Sequence, residues 1–269
     1  MRKGKKGERK MPKKLGFALG AGGARGVAHV GFLKAMEDAG IKPDFVTGCS
    51  MGSVVGAAYS AGVSIETMRK AVCSLRLFDL IAPTGKRGGL FDTKKMRRIL
   101  AHYIGDLDFA DLQTPFHCVA VDMITQSLIE FSEGSLLDAV VASSSIPSIF
   151  CPTEKNGMRL IDGGILERVP FEQVKNMGAD VVVAVDVLGW RECKEDMPGT
   201  LGILLETIDI MDNYRTRRRH KEKADIIDFW LEPELGSMSQ YSFKHFDFAY
   251  QKGYEIGEAN VEAIQKALQ

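Results

Sequence analysis

FVTGCSMGSVVGAAYSAG, residues 45–62, decides how this chain is read. The run 45–49 (FVTGC) has strand character, and from about residue 52 to residue 61 the pattern is helical, stopping at Gly62, a residue that tolerates the left-handed conformation beyond a helix end. Between them stands Gly48-Cys49-Ser50-Met51-Gly52, a G-x-S-x-G sequence. A strand that turns straight into a helix through this motif is a nucleophile elbow: Gly48 and Gly52 permit the sharp reversal, and a strained serine is lifted into the cleft above the sheet edge. Ser50 Oγ then lies at a helix N-terminus, where the macrodipole favours developing negative charge. Glycine-flanked serines are common in loops, so the strand before and the helix after carry the inference.

Outward from the elbow, short apolar runs alternate with longer stretches of helical period. Residues 15–20 (LGFALG) read as a first strand and the β-branched run 181–187 (VVVAVDV) as a buried central one, with weaker strands at 117–122, 127–131, 159–161 and 226–231. Helices are expected at 27–39, ending at Gly40, and after Asp92, where Met96, Ile99, Leu100 and Tyr103 form one apolar stripe. Two more are expected from about 202 and over roughly 245–268. This alternation predicts an α/β fold, a three-layer α/β/α sandwich with a mainly parallel central sheet, in one domain over 15–269.

Composition removes several classes of function. Lys plus Arg equals Asp plus Glu at 35 each, so no global charge argues for nucleic acid as a partner. Local charge is uneven: residues 1–14 hold eight basic residues and one acid with nothing to build a core, which predicts a disordered basic tail. Such a tail is a solvated arm or a contact with anionic lipid, at about 1 kcal/mol per basic residue near the surface. The run 215–223 (RTRRRHKEK) is open to the same two readings, with nucleic acid behind both because it lacks the interleaved aromatics of a stacking platform. The basic start followed by LGFALGAGG does not make a signal peptide, because Arg25 and the glycines interrupt the apolar stretch. No run nears the ~18 apolar residues of a membrane span, so membrane contact would be peripheral. The five cysteines, Cys49, Cys73, Cys118, Cys151 and Cys193, are widely spaced with no C-x-x-C pair, which fits a reducing cytoplasm. No acid or histidine cluster has ligand spacing, so neither a metal nor a cofactor is expected.

Two further blocks carry chemistry. Gly20-Ala21-Gly22-Gly23-Ala24-Arg25-Gly26 lies between a strand and a helix and lets backbone amides converge on one point, which suits the oxyanion of a tetrahedral intermediate or a nucleotide phosphate. Its glycines are one residue out of register for a dinucleotide fingerprint, and no Walker lysine follows. Arg25 is either part of that loop's function or a helix-start side chain paired with an acid. Asp162-Gly163-Gly164 sets a carboxylate in a glycine turn at a strand end, which alone is also a routine turn.

The loop 20–26, the elbow 48–52, the segment ASSSIPSIFCP at 142–152, the Asp162-Gly163-Gly164 turn and the later GADVVVAVDV stretch follow the order seen in patatin-like phospholipases, and the sequence resembles the small single-domain bacterial members of that family. The resemblance implies a Ser–Asp dyad of Ser50 and Asp162 acting on lipid acyl esters through an acyl-enzyme, without a histidine. On this reading the amides of Gly22, Gly23, Ala24 and Arg25 are the candidates for the oxyanion hole. It also implies that Pro147, Ser148, Ile149 and Phe150 form a loop beside the active site. His29 is the best candidate for a histidine base instead, with His245 behind it. Glu167-Arg168 departs from the more neutral, Asn-bearing sequence of relatives. Residues 75–91 offer either a lid over an acyl pocket or a packed helix end with a surface loop. The rival functions are a nucleotide-binding α/β domain and a non-catalytic membrane-surface protein.

Overall fold

The computed structural model describes residues 12–74, 82–84, 88–189, 199–241 and 244–269. In chain order the strands are Leu15–Leu19 (β1), Phe45–Cys49 (β2), Ala82–Pro83 (β3), Gly89–Asp92 (β4), Phe116–Asp122 (β5), Ser127–Phe131 (β6), Ser148–Phe150 (β7), Thr153–Lys155 (β8), Met158–Asp162 (β9), Val181–Val185 (β10) and Phe229–Leu231 (β11). The helices are Val27–Asp38 (α1), Met51–Ser60 (α2), Ile65–Ser74 (α3), Lys94–Ile104 (α4), Leu136–Ser143 (α5), Phe171–Asn176 (α6), Thr200–Glu222 (α7) and Phe246–Leu268 (α8).

The central sheet has the order β11-β10-β1-β2-β5-β9-β8, with β6 also paired to β5. From β11 to β5 all pairings are parallel, while β6, β9 and β8 pair antiparallel. Side chains alternate across this sheet as the period of a strand requires. Phe17, Leu19, Val183 and Val185 face the large core shared with α1, α2, α5 and α8. Ala18, Val182 and Ala184 face the other way, onto Phe171 and Val174 of α6. Helices on both faces of a mainly parallel sheet give the three-layer α/β/α architecture that the alternating pattern implies.

Several elements differ from the sequence reading. The strand expected over 226–231 is confined to β11, because residues 224–226 form a 3-10 turn that ends α7. Lys13 and Lys14, expected in the basic tail, are tied to the domain: Lys13 Nζ donates to Ala267 O at 2.6 Å and the Lys14 amide to Asp180 Oδ2 at 2.8 Å. Residues 1–11 of that tail lie outside the described residues, as do 75–81 and 85–87 of the lid candidate. The described remainder of that candidate includes Gly89, Leu90 and Phe91 of β4, which pairs with β7 in a small three-stranded sheet.

One feature of the register positions everything that follows. β6 runs along one edge of β5, pairing residues 118–122. The other edge is shared end to end: β2 pairs its first half, with Cys49 opposite Val119, and β9 pairs its second half, with Asp162 opposite Ala120. β2 is parallel to β5 and β9 antiparallel, so the two strands run toward each other and their C-terminal ends meet. Residues 50 and 162 are thereby brought together from 112 positions apart by backbone pairing alone.

The α1–α8 packing is unusually close, since a Cβ added at Gly31 would lie 1.9 Å from Tyr250 O and one at Gly253 would lie 1.8 Å from Ala28 O. The obstructing atoms are helix backbone and cannot swing aside. Gly31→Ala or Gly253→Ala should therefore lower stability by about 1–3 kcal/mol, read as a lower urea midpoint. An unchanged midpoint would show that the helices can part without cost.

Candidate active site

The elbow forms as its glycines require. A Cβ at Gly48 would lie 2.5 Å from Gly52 O, and one at Gly52 would lie 2.1 Å from Leu19 O. Only glycine lets α2 start this close to the ends of β1 and β2. Ser50 at the apex has φ 52° and ψ −122°, a left-handed conformation that costs a non-glycine residue about 1–3 kcal/mol. Its main-chain bonds hold it there. The Ser50 amide donates to Ser143 Oγ at 3.0 Å, and its carbonyl accepts from Ser53 Oγ at 2.7 Å and from the amides of Ser53 and Val54 at 2.9 and 3.1 Å. The first serines of the ASSSIP segment thus buttress the elbow, as Ser144 Oγ also reaches Ser50 O at 3.4 Å.

Asp162 ends β9 and caps the 3-10 turn over Gly163–Ile165, accepting from the Gly164 amide at 2.8 Å. Ser50 and Asp162 are both buried, at 5% and 6% exposure, and line one pocket with the Ser50 hydroxyl beside the Asp162 carboxyl. Burial pushes that carboxyl up to about 6, and the Ser50 hydroxyl and the Gly164 amide restrain the rise. The Cys49 thiol lies 3.8 Å from Asp162 Oδ1, and burial raises its pKa so far that it stays a neutral neighbour.

The loop 20–26 closes the other side of the cleft. Ala21, Gly22, Gly23, Ser50, Asp162 and Gly164 line one pocket. Of the four residues considered as oxyanion donors, two have their amides taken. Ala24 donates to Gln240 O at 2.8 Å and Arg25 to Gly22 O at 3.0 Å. No acceptor among the described residues takes the amides of Gly22 and Gly23. The Arg25 side chain is buried. His29 sits behind the loop instead of in the cleft: its Nε2–H donates to Gly20 O at 2.8 Å, and burial lowers its pKa to about 4, which keeps it neutral. His245 is the residue before α8 and does not line the pocket.

The rest of the wall comes in part from the segment 142–152 singled out in the sequence and in part from residues without a sequence signal. Ile146 and Pro147 line the pocket, while Ser148, at φ 66°, begins β7. Leu188, Leu205, Ile208, Asp209, Asp212, Gln240 and Tyr241 complete it, and Gln240 Nε2 donates to both carboxylate oxygens of Asp209. The unusual Glu167-Arg168 pair has a structural explanation. Arg168 is buried and donates to Asp186 at 2.6 Å, Asp212 at 3.0 Å and Asn213 at 2.6 Å. Arg215 Nη2 donates to Gly164 O at 2.9 Å, and Arg219 pairs with Glu167 and Glu172. Part of the basic run 215–223 is therefore an internal strut between α7 and the Asp162 turn, which corrects its reading as a wholly solvated face.

A family model described as patatin-like phospholipase matches residues 17–175. An NTE family protein of Mycobacterium tuberculosis is 32% identical over 178 residues, covering 65% of this chain and 49% of that protein. Lysophospholipase nte1 of Aspergillus fumigatus is 28% identical over 286 residues, covering 93% of this chain and 18% of that protein. The chain thus spans about half or less of the length of these relatives. Among solved structures, VipD from Legionella pneumophila matches with a TM-score of 0.53 at 13% identity, covering 94% of this chain and 67% of that one. Human GIVD cytosolic phospholipase A2, solved with a fluorophosphonate inhibitor, matches with a TM-score of 0.51 at 13% identity, covering 98% and 60%. These structural likenesses concern the fold. The family match spans more than half of the chain and takes in the glycine loop, the elbow and the Asp162 turn, so this chain belongs to the patatin-like phospholipase family.

Proposed function

We propose that this chain is a serine acyl hydrolase that cleaves fatty-acyl esters of lipids through Ser50 and Asp162. The observation that carries the reading is a strained, buried serine at a strand-to-helix elbow, set beside a buried carboxyl in one pocket that no histidine among the described residues lines. Family membership and the lysophospholipase relatives support the lipid ester as substrate class.

In this mechanism Ser50 Oγ attacks the ester carbonyl while Asp162 takes its proton. The oxyanion forms against the amides of Gly22 and Gly23, at the N-terminal end of α2. Collapse breaks the ester bond, and Asp162 returns the proton to the departing alcohol. Water then attacks the acyl-enzyme, again giving its proton to Asp162, and the fatty acid leaves as the Ser50 hydroxyl is restored. An ordinary carboxylate is a feeble base for an alcohol, and burial that lifts Asp162 to about 6 narrows the gap. Ile146, Pro147, Ile165, Leu188, Leu205 and Ile208 give the acyl chain an apolar wall.

Ser50→Ala and Asp162→Asn should each lower kcat for lipid-ester hydrolysis by at least about a thousandfold with the circular dichroism spectrum unchanged. Full turnover in either variant would refute the dyad. The reaction needs Asp162 ionised, so kcat/KM should be flat above pH ~6 and fall about tenfold per unit below it. A flat profile down to pH ~4 would remove Asp162 as the base.

The same shift has a stability consequence. A carboxyl whose pKa is raised by folding, here from 3.8 to about 6, favours the fold while protonated. That contribution is lost as pH rises through this window, by about 3 kcal/mol in all. Wild-type stability should therefore fall relative to Asp162→Asn between pH ~4 and ~7, as followed by urea unfolding; parallel curves would contradict the raised pKa.

A further inference from the structure

Helix α7 has more apolar surface in water than its packing accounts for. Five large hydrophobic side chains on it, Ile203, Leu204, Ile210, Met211 and Tyr214, are exposed, with Met211 at 63% and Tyr214 at 71%. At 100° per residue they fall, with Thr207, on one continuous arc that contains no charge over its first four turns. Farther along the helix the same side carries exposed Arg217, Arg218 and Lys221, with one acid, Glu222, paired to Arg218 at 2.7 Å. The opposite side of α7 is occupied: Leu205 and Ile208 line the Ser50 pocket, and Asp212, Arg215 and Arg219 bond to the strut beneath it.

We propose that α7 is the helix by which this chain sits on a lipid surface, its apolar arc in the acyl layer and its basic end at the phosphates. An amphipathic helix lies in an interface in this way when an apolar face adjoins basic residues. A lipid surface meets both halves of the arc at once, acyl chains beside Ile203, Leu204, Ile210 and Met211 and anionic head groups beside Arg218 and Lys221. A second copy of this chain fits less well, because antiparallel self-pairing of α7 would press the basic end of each helix onto the apolar half of the other. Two other exposed side chains, Met123 and Ile124, follow the carboxyl end of β5, beyond the point midway along that strand where β2 and β9 meet. With Leu205 and Ile208 on the inner side of the same helix, an acyl chain would pass from the lipid into the pocket without crossing bulk water. This consequence rests on the acyl-ester reading; the docking itself does not.

The two are separated by measuring binding on a Ser50→Ala background, which leaves the lipid intact. Sedimentation with phosphatidylcholine vesicles containing phosphatidylglycerol should show binding that falls at least tenfold on adding Ile210→Glu and Met211→Glu. Arg218→Gln with Lys221→Gln should weaken binding to these vesicles and leave binding to pure phosphatidylcholine unchanged. With Ser50 intact, Ile210→Glu and Met211→Glu should slow hydrolysis of vesicle lipid while turnover of a soluble short-chain ester stays at the wild-type rate. A Tyr214→Trp variant, with the helix otherwise intact, should lose fluorescence to brominated lipid beyond the loss seen in its parent. Vesicle binding that is absent in the parent, or undiminished by the two glutamates, would overturn the proposal. So would a parent dimer that the glutamates convert to monomer while its vesicle binding persists.

Discussion

The shared edge of β5 is the constraint on which the site depends. A strand offers each neighbour one row of hydrogen-bonding groups, and here a single row is divided between β2 arriving parallel and β9 arriving antiparallel. Both must stop where they meet, and their last residues are Cys49 and Asp162. Neither strand can slip by one position without turning its side chains to the opposite face. The approach of Ser50 to Asp162 is thus set by backbone pairing, and the glycines around them serve that geometry. Gly48 and Gly52 admit α2, and a Cβ at Gly163 would lie 2.4 Å from Val119 O of β5 itself.

Such a junction stores free energy in two places. Ser50 is held in a conformation unfavourable for a side-chain-bearing residue, and Asp162 is kept from water with a pKa near 6. Both are compensated nearby: Ser143 and Ser53 bond to the Ser50 backbone, while the Gly164 amide bonds to the Asp162 carboxyl. Beneath them Arg168 joins Asp186 and Asp212, so the loop that follows Asp162 is clamped to α7. Stability and chemistry draw on the same groups here.

Much of this was legible in the sequence because it is local. The elbow needs only five consecutive residues, and β1, β2 and β10 announce themselves by β-branched and apolar runs. α5 was not legible as a helix because nearly all of its residues are buried, which leaves no polar face to set a period. α6 is only six residues long. Long-range bonds were not legible: the Ala24 amide, a candidate oxyanion donor in the sequence, donates to Gln240 O, more than 200 positions away. Arg168 and Asp212 are 44 positions apart, and no periodicity encodes such a bond. α7 carries apolar residues on two sides, one lining the pocket and one exposed, so its stripe was not visible as an amphipathic helix.

The central claim is that Ser50 is a nucleophile activated by the Asp162 carboxyl that shares its pocket. Its most direct test is reaction of the folded protein with a fluorophosphonate, followed by mass mapping of the labelled peptide. The account predicts one adduct, on Ser50, forming much more slowly in Asp162→Asn. Label on a different serine, or a folded protein whose Ser50 stays unmodified, would contradict it.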